Sequence, residues 1–157
     1  MNLKDLREEI AIEIDLLESV IKEISSLRHD LTDREPTVRE KTAAGAFLAQ
    51  FYGGIENILK RISLFQSVTM PAGDNWHTEL FRRFCQPSYQ RLPSLFDYQL
   101  AVDMAAFRKF RHVVYHGYGF ELDWDRMKEG LARIDDVFNR FKQKLNEYLN
   151  GLEKQKE

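Results

Sequence analysis

A chain of 157 residues, 43% hydrophobic and 31% charged, has the size and balance of one globular domain. Its formal net charge of -2 excludes a surface that is basic throughout, while leaving room for a local cationic patch. The single cysteine, Cys85, excludes an intrachain disulfide and any multi-cysteine zinc site.

The chain opens on "MNLKDLREEI", which has no apolar signal core. Nowhere does an apolar run approach the ~20 residues of a membrane span, so a soluble, cytoplasmic protein is expected. Leu3, Ile10, Leu17 and Ile24 recur every seven residues, with Leu6, Ile14 and Ile21 beside them. This pattern predicts an amphipathic helix over about 2–29. "LTDREPTVRE" interrupts it. Thr32 or Asp33 is expected to cap a second helix, with Pro36 in its first turn. That helix is predicted to reach about Val68. Its small residues, Gly53 and Gly54 among them, predict close approach of a neighbour or a site nearby, because paired glycines cost helix propensity. "WHTELFRRFC" reads as a short helix capped by Asp74 or Asn75. Ser94 is expected to cap a fourth helix carrying Leu95, Tyr98, Leu100, Val102, Met104, Phe107 and Phe110. Gly117 and Gly119 should end it. Asp123 is placed to cap a last helix, whose stripe runs from Met127 to Leu152. No strand or repeat is evident. The expectation is a single all-α domain over 1–157, an up-and-down bundle of four long helices and one short one.

The densest chemistry lies in "FRKFRHVVYHGYGFELDW", residues 107–124. Histidine can exchange a proton near neutral pH, and arginine matches phosphate oxygens with a permanent planar cation. RNA carries its own nucleophile, the 2′-hydroxyl. A base to deprotonate it and a cation for the phosphorane-like transition state make a minimal set without metal. Arg111 and His116 offer those two groups. On a continuous helix, five positions turn about 500°, leaving the two side chains about 140° apart. Two routes could bring them together: a helix ending near Tyr115, or a second copy facing the first across a two-fold axis. A purely structural reading competes with both, because basic residues in a last turn also suit the helix dipole.

The segment "RHVVYHGY" resembles the R-x4-H-x-Y form of the HEPN superfamily motif found in HepT-like proteins. "FLAQFYGGIENILKRI" and "NWHTELF" are similar to the second helix of that family and the segment after it. The resemblance implies a dimeric helical bundle that acts as a metal-independent endoribonuclease toxin on RNA, without a cofactor. It implies that Arg111 and His116 form the catalytic pair and that Tyr118 is the motif tyrosine. An MNT-type nucleotidyltransferase antitoxin would transfer AMP to Tyr118 and block the enzyme. His112 stands where many relatives have asparagine, and Tyr115 where related sequences often carry a second arginine. Arg108 and Lys109 are candidates to extend the cation patch, and His112 for a supporting role. Glu56 or Asn57 is a candidate to orient the motif arginine, as a polar residue of the second helix often does in the family. Trp76 and His77 read as a hinge. The alternative function is a HEPN protein without nuclease activity that binds a nucleotidyltransferase.

Overall fold

The N-terminal residues make a reciprocal cap. Asn2 Oδ1 accepts from the Asp5 amide at 2.9 Å, and Asp5 Oδ2 accepts from the Asn2 amide at 3.1 Å. Helix α1 then runs Leu3–Asp30. The computed structural model describes residues 1–117 and 123–156, and all its elements are helical. The others are α2 (Val38–Phe65), α3 (Trp76–Arg83), α4 (Tyr98–His116) and α5 (Trp124–Lys156). The expected bundle of four long helices and one short helix is therefore present.

Two helix starts differ from expectation. Thr37, not Thr32 or Asp33, caps α2, and Pro36 lies ahead of the cap. Thr32 is consumed by the previous helix, its hydroxyl donating to the His29 carbonyl at 2.9 Å. Thr37 has the better partner: Glu40, three residues on, closes a capping box and also pairs with Arg34 at 2.6 Å. Likewise Asp97 rather than Ser94 caps α4, accepting from the Leu100 amide at 2.8 Å. Ser94 instead bonds Ser88 and the Cys85 carbonyl within the preceding loop. Leu95 and Phe96 are buried from that loop, ahead of the helix. Asn75 precedes α3 without a side-chain cap bond. Asp123 caps α5 as expected, accepting from the Asp125 amide at 3.1 Å. Gly117 follows α4 in extended backbone, φ -129°, rather than the left-handed form that favours glycine, and Gly119 lies outside the described residues.

Helix α2 is the centre of the bundle and packs against every other helix. Phe51 meets Phe107 of α4 and Phe138 of α5 edge-on, with ring centroids 5.0 and 5.9 Å apart. The seven-residue seam of α1 is buried as read, from Leu3 through Ile24. The paired glycines divide their tasks. A Cβ on Gly54 would fall 2.5 Å from Leu17 Cδ2 and 2.9 Å from its Cγ, so Gly54 sets the α1–α2 approach. A Cβ on Gly53 would meet nothing within 4 Å, and Gly53 faces an open groove.

Gly54→Ala and Gly53→Ala should therefore move stability in opposite directions. Overpacking Leu17 costs about 1–3 kcal/mol, against a gain of about 1 kcal/mol from helix propensity, so Gly54→Ala is expected to lower the urea midpoint. Gly53→Ala keeps only the gain and should raise it. Midpoints shifting the same way would show that α1 yields freely at this crossing.

Candidate functional site

The motif occupies the last turns of α4, which stays helical through His116. The His116 ring packs one turn above His112, centroids 4.5 Å apart, so within one chain it does not swing back toward Arg111. At 100° per residue the two side chains leave α4 about 140° apart, and the motif has two faces.

The first face turns toward α1 and α2. The Arg111 guanidinium lies 4.8 Å from the centre of the Tyr115 ring. Both line a groove of about 600 Å³ with Gly53, Glu56, Asn57 and Lys60 of α2. Among the described residues no carboxylate pairs with Arg111. Its cation is thus available at the wall of a groove that Lys60, Glu13 and Glu23 also line.

The second face is exposed. His112 and His116, one turn apart, place their rings 4.5 Å apart. On the same side of α4 stand Tyr98 (81% exposed), Val102 (51%) and Val113 (42%), and His116 continues their line. Exposed Lys109 stands between Val102 and Val113 on this side, so the face is mixed apolar and basic.

The supporting residues sort differently from expectation. Arg108 is not turned outward: its Nη1 donates to Thr78 Oγ1 at 2.7 Å and its guanidinium lies 5.6 Å from the Phe81 ring centre. Lys109 is exposed and, with Val102 and Val113, lines a groove between α4 and α5 that also holds Arg126 and Arg133, away from the Arg111 groove. Asn57 is exposed on the Arg111 groove. Glu56 is buried, and its Oε2 lies 2.7 Å from His77 Nδ1, so His77 rather than Arg111 engages its carboxylate. Tyr118 lies outside the described residues.

Sequence reading missed Tyr52. It lies one turn before Glu56, is fully buried, and its hydroxyl has no partner among the described residues. Burial pushes its phenol well up; the Glu56 carboxylate adds to this, and Arg108 and Arg111 oppose it. Glu56–His77 and Arg108–Thr78 contacts tie α2 and α4 to α3 at this place. The Arg108 Nε is also buried without a partner. Two such polar atoms at one junction mark it as specialised rather than ordinary core. The i, i+4 spacing of Tyr52 and Glu56 was the available signal, but an aromatic at that spacing usually denotes packing. Cys85 lies near the same junction; burial pushes its thiol up, as expected of an inert cysteine. Among the described residues no cluster of three or more His, Cys, Asp or Glu could hold a metal ion. No described helix is long and apolar enough to cross a membrane.

A family model described as HepT-like protein matches residues 43–152. The chain belongs to the HepT-like family. The matched span includes Glu56, His77, Arg111 and His116, and so covers the whole junction and the motif, leaving all of α1 outside. No curated protein and no solved structure matches the chain.

Proposed function

We propose that this HepT-like protein is a metal-independent endoribonuclease toxin. The observation that carries the reading is Arg111, unpaired with any described carboxylate and lining a groove, on the same helix end as the exposed His116. In this reading His116 takes the 2′-hydroxyl proton as the oxygen attacks phosphorus. Arg111 stabilises the negative charge that builds on the phosphoryl oxygens. The P–O5′ bond breaks, giving a 2′,3′-cyclic phosphate and a 5′-hydroxyl.

The two groups diverge within one chain, so the complete site needs a second copy. A two-fold partner that lays its own His116 against the Arg111 groove would complete the site. An MNT-type nucleotidyltransferase then silences the enzyme by transferring AMP from ATP to Tyr118. The added phosphate charge and nucleotide bulk would repel and exclude RNA beside Arg111 and His116.

Incubating the purified protein with total cellular RNA in EDTA tests the reading. Cleavage with cyclic-phosphate ends is the expected result. An intact mass raised by one or more AMP units, with no cleavage, would mean a silenced enzyme, and removing the AMP should restore activity. No cleavage by protein of unmodified mass would overturn the ribonuclease reading in favour of a non-catalytic nucleotidyltransferase partner.

A further inference from the structure

Transesterification of RNA moves two protons. One leaves the 2′-hydroxyl, and one must reach the 5′-oxygen as it departs. The reading above employs one histidine, His116, as base. A second proton-transfer group at the leaving oxygen speeds a concerted displacement, and the junction of α2, α3 and α4 contains a histidine held in position.

His77 stands in the first turn of α3. Its Nδ1 lies 2.7 Å from Glu56 Oε2. The carboxylate side chain is 3% exposed, whereas the imidazole is 31% exposed. A buried carboxylate on Nδ1 sets the orientation and tautomer of the ring and leaves Nε2 for other work. Trp76 packs against the imidazole, with centroids 3.5 Å apart, and Lys60 covers the Trp76 ring at 4.7 Å. The ring is thus held from more than one side.

The carboxylate of this pair reaches the groove of the motif arginine; the imidazole is tied to that groove through Glu56 and lies outside its lining. Glu56 and Lys60 line the groove that Arg111 lines. Thr78, the residue after His77, receives the hydrogen bond from Arg108, one turn before Arg111. A hinge would need none of this: neither a buried carboxylate on its histidine nor a tie from α3 to the motif helix.

We infer that His77, positioned by Glu56, is the general acid of the ribonuclease reaction, its imidazolium form donating the Nε2 proton to the 5′-oxygen and keeping the Nδ1 proton toward Glu56. The inference rests on the ribonuclease reading. As the 2′-oxygen bonds phosphorus, His116 gains the 2′-proton and the P–O5′ bond breaks. His77 loses a proton to O5′, and solvent exchange resets both rings. Glu56 is a positioning residue that does not touch RNA.

The test compares an ordinary oligoribonucleotide with one carrying a 5′-thio leaving group, which departs without protonation. The variants are His77→Asn, His77→Gln and His116→Ala, each checked for melting temperature and dimer mass. On ordinary RNA, His77→Asn and His77→Gln should be at least ~100-fold slower than the parent. On 5′-thio RNA they should approach the parental rate, while His116→Ala stays slow on both. Glu56→Gln should lose part of the rate on ordinary RNA and regain it on the 5′-thio substrate. A folded His77→Asn or His77→Gln that cleaves ordinary RNA at the parental rate would overturn the inference and leave the ribonuclease reading intact. A folded variant slow on both substrates would overturn it too, by reducing His77 to a structural role. A parent of unmodified mass that cleaves neither substrate would overturn both.

Discussion

Mixing Arg111→Ala protein with His116→Ala protein should recover ribonuclease activity that neither variant has alone. Each variant by itself is expected to lose about 100-fold or more of the parental rate, by removing either the transition-state cation or the base. The recovery follows from the continuity of α4. Because the helix persists through His116, the two side chains leave it about 140° apart. A site that needs both must then take Arg111 from one copy and His116 from the other. Random exchange of subunits makes half of the dimers mixed, each with one intact site of two. The mixture should therefore reach about a quarter of the parental rate. Both variants alter α4 positions outside the buried core, so melting temperature and dimer mass should stay parental. Subunits exchanged by mild denaturation and assayed in EDTA provide the measurement. Mixed dimers as inactive as the separate variants would exclude a shared site.

The second large effect concerns what holds α4 in its rotation. Asp103 is 6% exposed. It accepts from Gln99 Nε2 at 3.1 Å and from Arg140 of α5, with Arg133 at 3.9 Å. Burial opposes its charge, but the hydrogen bonds from Arg140 and Gln99 outweigh that and hold the carboxyl below the ordinary range. Asp103→Ala would strand Arg140. The Arg140 side chain is 32% exposed and keeps Asp136 at 2.9 Å, so some of the loss is offset. The expected cost is about 2–3 kcal/mol, below the 3–5 typical of a fully buried pair. For a chain of this size that lowers the melting temperature by roughly 5–10 °C.

The effect should depend on pH in a defined sense. A carboxyl whose folded pKa is depressed stabilises the fold above the unfolded value of about 3.9, and that contribution disappears as pH falls through the folded value. The gap between parent and Asp103→Ala should thus be complete at neutral pH and close in strong acid. Urea midpoints at fixed protein concentration measure it. Equal midpoints at neutral pH would show that the network only fastens the surface. Because Asp103 and Arg111 share one helix, Asp103→Ala should also slow RNA cleavage.

Much of the architecture was legible in the residues. The stripes of α1 and α5 were plain because apolar side chains must repeat at helical spacing to reach one core. Helix starts were less secure. Thr32, Asp33, Thr37, Ser94 and Asp97 are all competent caps, and the choice depended on which oxygen another element had already claimed. Thr32 went to the end of α1 and Ser94 to the loop, leaving Thr37 and Asp97.

The candidate chemistry divided along the same line. Arg111 and His116 could be named from residue type and local spacing, because proton transfer and phosphate recognition use few side chains. Their divergence also followed from helical geometry once α4 was known to be continuous. The partners of Glu56 could not be read in this way. Glu56, His77 and Arg108 lie on three helices, far apart in the chain, and local periodicity carries no information about which of them meet. The sequence by itself determined the helical stripes and the identity of the motif residues, because both are local. Only the tertiary structure decided that Glu56 grips His77, that Arg108 turns to α3 and that Arg111 stands open on a groove. Those outcomes depend on how α2, α3 and α4 pack together.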